Sequence, residues 1–310
     1  MQSVKTPPRP CYPLIASACH TPCVINMVLH WRDTLMSAKA SVLDTGTDEL
    51  LCHLQDGVAV VTLNRPQARN SLSDNLTPAL RAMIKRAADD PDIGSLLITG
   101  AGTAFCAGGD VKGMASNLRG AETPIDERVA LLMTRQRTLT GALVGLRKPT
   151  IAALPGPAAG AGLSIALACD LRIAARSAIV TTAYARVGLS GDYGIAWLLT
   201  RTVGSARARE LLLLADKIDA ERCETLGIVN RVVADESLFD YAFEMAKSLA
   251  QGPRVSYGLM KDNLDDAISL DFLTALDREG ERMVQSSLTS DHRLAVRALI
   301  EKRRPHYSGA

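Results

Sequence analysis

Aromatic side chains are scarce: two Trp, six Tyr and four Phe are only 4% of the 310 residues. A surface that stacks nucleic-acid bases on aromatic rings has little to draw on here. A dominant sign of charge is also missing. Lys and Arg number 35 against 33 Asp and Glu, a formal net charge of +2, and the basic residues are dispersed. A polyanion partner would need a basic patch, so no nucleic acid is expected. No apolar run approaches the ~18 residues that span a bilayer, so no membrane partner is expected.

The seven cysteines include no Cys-x-x-Cys pair, which argues against a zinc site or a redox dithiol. Cys52, Cys106, Cys169 and Cys223 stand among apolar neighbours. They read as buried free thiols of a reducing compartment, and a cytoplasmic location is the expectation. His20, His30, His53, His292 and His306 fall in no motif, so neither an imidazole base nor a metal site is indicated.

What remains is an ordinary globular composition, 47% hydrophobic and 22% charged, long enough for one large domain or a domain with an appendage. Residues 1–45 differ from the rest, being rich in Pro, Cys and small residues with no acid before Asp33. They read as a targeting segment or as a start placed too early, with Met27 or Met36 as the true first residue. Pro7, Pro8, Pro10 and Pro13 oppose one long amphipathic helix, and poor packing is expected for this extension.

Regular structure is expected from about Glu49. Leu50–Gln55 and Val58–Leu63 are β-rich runs joined by Asp56-Gly57, a two-residue hairpin signal. Ser73 is placed to cap a helix running to about Asp89. Ser95–Thr99 reads as a buried strand, Ile125–Leu146 as one long helix, Thr150–Leu154 as a strand, Gly162–Ala168 as a helix and Leu171–Ala174 as a strand. This alternation predicts an α/β architecture with parallel pairing. Beyond Asp192 the pattern is mostly helical, with helices expected over 193–202, 205–214, 219–225, 236–250, 253–263, 269–286 and 291–303 and a strand over Val229–Val233.

Two glycine-rich turns follow buried strands: Gly100–Asp110 (GAGTAFCAGGD) and Pro155–Leu163 (PGPAAGAGL). Neither ends in Gly-Lys-Ser/Thr as a P-loop does, and neither has dinucleotide-site spacing. Small residues at such places let backbone approach a ligand closely, and an amide at a helix N-terminus is a ready anion donor. Each turn alone reads as a tight turn packed against a strand.

Taken together the motifs resemble the crotonase superfamily, the enoyl-CoA hydratases and isomerases. The resemblance rests on Asn64-Arg65-Pro66 leading to Arg69-Asn70, on Phe105–Asp110, on Gly156 through Asp170, and on the tail Glu301–Pro305 with Ser308-Gly309. It runs from about Leu50 to Gly309. It implies a ββα spiral core over 46–250 and a helical C-terminal region over 251–310 that assembles a homotrimer or a dimer of trimers. It implies an acyl-CoA substrate, with coenzyme A as part of that substrate and no separate cofactor. The oxyanion amides fall on Gly109 and Ala161, and Gly109, Asp110, Val111 and Lys112 lie where the family holds the acyl-CoA. Ala68, Arg69 and Ala107 fall near the adenine and phosphate positions. Lys261 is either a phosphate ligand or a solvated surface lysine. Asp110 and Asp170 read as structural, and Cys106, with no histidine beside it, does not read as a nucleophile.

The chain departs from its family at the chemistry. The two glutamates with which the hydratases add water fall on Ser164 and Tyr184. An alcohol and a phenol can hold a water molecule, but neither is a competent base near neutral pH. One carboxylate matches a catalytic position used elsewhere in the superfamily: Asp192, in Gly188-Leu189-Ser190-Gly191-Asp192-Tyr193-Gly194. An Asp before a helix is also a routine cap. A cap ionises easily, whereas an acid/base in an apolar pocket has a raised pKa. A single carboxylate suits moving a proton between C2 and C4 of an enoyl-CoA. Hydration through an ordered water, hydrolysis of a thioester or carbon–carbon bond, and a non-catalytic CoA-binding trimer remain alternatives.

Overall fold

The computed structural model describes residues 40–110 and 123–309. Residues 1–39, which make up most of the expected extension, lie outside the described residues, as do Val111 and Lys112.

Ten strands occur among the described residues: β1 (Ser41–Val42), β2 (Leu50–Gln55), β3 (Val58–Leu63), β4 (Ser95–Gly100), β5 (Thr150–Leu154), β6 (Ala158–Ala159), β7 (Leu171–Ala175), β8 (Ile179–Thr181), β9 (Ile218–Asp219) and β10 (Arg231–Val233). The helices are α1 (Leu76–Asp89), α2 (Ile125–Gln136), α3 (Ala142–Gly145), α4 (Ala161–Ala168), α5 (Ile195–Leu214), α6 (Ala220–Thr225), α7 (Leu238–Ala250), α8 (Arg254–Ser269), α9 (Phe272–Ser287) and α10 (Ser290–Ile300).

The hairpin forms where expected. Gln55 pairs with Val58, and Asp56 and Gly57 take positive φ, 52° and 80°, as a type I′ turn demands. From β3 the sheet runs parallel through β4, β5 and β7 to β10, while β1 closes the other edge antiparallel to β2. Edge pairing therefore begins at Ser41, before the Glu49 that hydrophobic patterning points to; a two-residue strand carries no period to read. Every residue of β3, β4 and β5 is buried, the mark of parallel strands covered on both faces. Period 2 sorts their side chains. Val58, Val60, Leu97, Ile151 and Ala153 pack with Ala242, Phe243 and Ala246 of α7. Ala59, Val61, Leu63, Leu96 and Ile98 face the larger cluster with α1, α4 and α5. A second sheet, β6-β8-β9, lies outside the first.

Three helical details bear on the site. Ser73 Oγ accepts from Leu76 N at 2.9 Å, so it does close the start of α1. The helix expected over 125–146 is interrupted: α2 passes through a π-helical turn, Arg137–Gly141, before α3. The two helices expected on either side of 203–204 meet at Gly204, whose φ of 77° and ψ of 162° break α5.

The C-terminal helices leave apolar side chains outward. Phe272, Leu273 and Leu276 are 75%, 67% and 49% exposed, so they form no core within this chain. Among the described residues no helix is long and apolar enough to cross a membrane.

Candidate active site

The two glycine turns are stitched together by backbone. Cys106 N donates to the Pro157 carbonyl at 3.2 Å, and Ala159 N donates to the Cys106 carbonyl at 2.9 Å. Close approach is possible because side chains are missing where the turns meet. A Cβ on Gly162 would stand 2.3 Å from the Cys106 carbonyl oxygen, and one on Gly108, at φ +90°, 2.8 Å from the Ala159 oxygen. That Gly108 position is also 3.5 Å from Ala161 N, so the Gly108-Gly109 turn sits directly against the start of α4. Ala161 opens α4, where an amide has no acceptor within the helix. Leu72 N donates to Gly108 O at 2.8 Å, with Leu72 paired in parallel to Gly109. A residue so paired turns its own N–H away from the partner strand. The structure thus brings the Gly109 and Ala161 amides to adjoining turns.

The family turn at Asn64–Asn70 supports this platform from below. Buried Asn70, at φ 55°, donates through Nδ2 to the Ala101 and Ala104 carbonyls at 2.9 and 2.7 Å. Its Oδ1 accepts from Arg65 N at 2.9 Å. Arg65 pairs with Asp110 at 3.1 Å. Ala107 N donates to Arg69 O at 2.9 Å, so Ala68, Arg69 and Ala107 are brought together. Lys261 is neither solvated nor unpaired. Its Nζ lies 2.8 Å from both carboxylate oxygens of Asp170 and its side chain is 13% exposed, which corrects the surface-lysine reading. Asp170 also accepts from Thr150 N and Oγ1 at 2.8 and 2.9 Å. Cys106 is fully buried and its thiol is pushed up to about 12 by burial, consistent with an inert thiol.

Ser164, Tyr184 and Asp192 converge. Ser164 lies on α4, fully buried, its Oγ 3.3 Å from the Gly160 carbonyl and 3.4 Å from the Asp192 carbonyl. Tyr184 opens a 3-10 turn after β8 and is buried. Its phenol donates to Asp192 Oδ1 at 2.7 Å. The cap reading of Asp192 fails on geometry. Gly194 is the N-cap of α5 and no side chain caps that helix; Asp192 contributes only its carbonyl, to Ile195 N at 3.2 Å. Its carboxyl is instead half-buried and its pKa is raised by burial, with the Tyr184 hydrogen bond acting weakly the other way. The direction of the shift is the one expected of an acid/base carboxyl in an apolar pocket and the opposite of that expected of a cap.

Asp192 lines a cavity of about 530 Å³ with Gln136, Arg137, Thr140, Tyr193 and Trp197. The opposite wall is the π-helical turn, a distortion that recurs at functional sites. Gln136, just before it, accepts from Tyr193 N at 3.1 Å through Oε1 and so pins the Asp192 loop, whose Gly191, Tyr193 and Gly194 all have positive φ. Sequence reasoning missed Gln136, since nothing in its spacing marks a contact 57 residues away. Trp197, five residues beyond Asp192 in an aromatic-poor chain, was the available signal. A more open groove of about 810 Å³ along α7, lined by Glu236, Tyr241 and Met245, touches none of these groups.

No group of His, Cys, Asp and Glu among the described residues is placed to hold a metal ion.

Comparison with known proteins shows the family. Residues 53–310 match the family model described as Enoyl-CoA hydratase/isomerase. The chain is 37% identical to a 1,2-epoxyphenylacetyl-CoA isomerase of Escherichia coli (strain K12) over 260 residues, 84% of this chain and 98% of that protein. It is 34% identical to a probable enoyl-CoA hydratase of Rhodobacter capsulatus over 83% of this chain and 96% of that one. Of solved structures, a putative enoyl-CoA hydratase/isomerase from Mycobacterium abscessus superposes with a TM-score of 0.80 at 30% identity, covering 84% of this chain and 100% of the other. The crotonase fold expected from the motifs is therefore the fold observed. The chain belongs to the enoyl-CoA hydratase/isomerase family of the crotonase superfamily.

Proposed function

We propose that the protein is an acyl-CoA isomerase that moves a proton between C2 and C4 of an enoyl-CoA with one carboxylate, Asp192. The observation that carries this reading is the one carboxyl among the described residues lining the cavity: Asp192, hydrogen-bonded by Tyr184 at 2.7 Å and raised in pKa by burial. Ser164 and Tyr184 occupy the places of the hydratases' two glutamates, and burial pushes the Tyr184 phenol further up still. Neither hydroxyl supplies a base. The names of similar proteins include both an isomerase and probable hydratases, so the site's chemistry carries the choice between them.

The steps follow from the groups present. The thioester carbonyl accepts hydrogen bonds from Gly109 and Ala161, which favours negative charge on its oxygen. Asp192 takes the C2 proton of a 3-enoyl-CoA; the C–H electron pair spreads into a dienolate ending on that oxygen. Asp192 then returns the proton to C4 and the double bond stands between C2 and C3. The reverse direction uses the same groups. Val111, Lys112, Asp110, Ala68, Arg69 and Ala107 are read as the acyl-CoA cradle around the first turn.

Asp192→Asn tests this. Turnover is expected to fall by about 10²–10⁴-fold, while CoA affinity measured by calorimetry stays within about threefold. Turnover retained in the variant would refute the assignment.

A further inference from the structure

Tyr184, which the resemblance places where the hydratases carry a glutamate, is a phenol and cannot serve as that base. Its phenol points at the carboxyl that remains, at 2.7 Å from Oδ1 of Asp192. Taking Asp192 as the acid/base, we infer that Tyr184 is a positioning residue that holds Oδ1 and leaves Oδ2 as the oxygen exchanging protons with the acyl chain.

Several features of the cluster support this. The Tyr184 side chain is 7% exposed, and a phenol so buried keeps its proton across the neutral range and remains a donor. Ser164 Oγ lies 3.4 Å from the main-chain carbonyl of the same Asp192, so Ser164 reaches the backbone and Tyr184 the carboxyl of one residue. The ring lies against the second oxyanion turn: a Cβ on Gly160, which has φ +52°, would be 3.8 Å from Tyr184 Cζ. Tyr184 therefore links the base to the turn that carries the Ala161 amide, and sets the distance between proton acceptor and oxyanion donor.

The hydrogen bond survives the catalytic cycle. When Oδ2 takes the C2 proton, a C–H bond breaks, an O–H bond forms, and Oδ1 becomes the carbonyl-type oxygen of the acid. Tyr184 still donates to it. When the proton leaves for C4 the carboxylate is restored without turning, so one fixed oxygen serves both carbons. Ionised Asp192 gains more from the donor than the neutral acid does. Among the described residues, the other titratable or charged groups about this loop are Tyr193, Arg81 of α1, Arg135 of α2 and Arg137 of the π-helical turn. The two groups that set the carboxyl's own shift are burial and Tyr184.

The test compares Tyr184→Phe and Asp192→Asn in the intact protein, assayed on 3-enoyl-CoA across pH. Tyr184→Phe is expected to lower kcat by about 10–100-fold with KM within about threefold. The acidic limb of its kcat/KM profile moves to higher pH by about one unit, because the ionised carboxylate has lost its donor. An unmoved limb, with or without a fall in kcat and Tm, would reduce Tyr184 to packing and overturn the inference. Replacing Tyr184 by 3-fluorotyrosine keeps the ring and strengthens the donor; it moves the limb to lower pH, and no movement contradicts the proposal even if Tyr184→Phe folds poorly. Full activity in Asp192→Asn would instead overturn the reading of Asp192 on which the inference rests.

Discussion

A carboxyl whose pKa is raised by burial works against folding at neutral pH. For Asp192 the folded-state value lies above the unfolded one, so protonation favours the folded state. The contribution is full below the ordinary carboxylate range and is lost as pH rises through the raised value. Asp192→Asn removes the buried charge while its amide oxygen still accepts from Tyr184. The variant is expected to melt at a higher temperature than the unsubstituted protein at pH 8, with the difference shrinking toward pH 4. A variant that melts lower at pH 8 would show that the charge is stabilising, against the direction given by burial. At this scale the sequence was legible where a motif fixed a residue's place. Gly109, Ala161, Ser164, Tyr184 and Asp192 were all named from motif order, and the structure brings them to one region. It also replaces the cap reading of Asp192, because capping depends on where α5 starts, and that start is Gly194.

The elements around the site differ in how plainly their residues announce them. Strands β2 to β5 follow from short apolar, β-rich runs bounded by turn residues such as Asp56-Gly57, and helix α1 from its apolar period. The short strands β6, β8 and β9 span two or three residues each, too few for a period, and they form only because tertiary contacts align them. The π-helical turn at Arg137–Gly141 is equally silent, since one inserted residue leaves the surrounding apolar pattern readable as plain α-helix. Its consequence is Gln136, whose Oε1 restrains Tyr193 N at 3.1 Å. Gln136→Ala is expected to reduce kcat by about tenfold or more by loosening the Asp192 loop, while costing only about 1 kcal/mol of stability. Circular dichroism melting and steady-state kinetics on the same preparation check both halves; an unchanged kcat would mean that the positive-φ loop holds its shape without Gln136.

At the scale of the whole molecule, one scaffold supports two chemistries, and the carboxylates decide between them. The seven-stranded sheet and its helices set two glycine turns against each other, and the proposed reading uses their amides to favour negative charge on a thioester oxygen. Adding water needs groups to activate and deliver it; shifting a double bond needs one carboxyl that gives back what it takes. Among the described residues that line the cavity, Asp192 is the one carboxyl, raised in pKa by burial and joined to the hydroxyl of Tyr184. The most direct measurement is a mass-resolved assay of the purified protein on 2-enoyl- and 3-enoyl-CoA thioesters in heavy water. A shifted double bond, with deuterium at C2 or C4 and no mass gained from water, is the result predicted. Addition of water across the double bond would contradict single-carboxylate isomerisation and show that hydration proceeds here without the two glutamates.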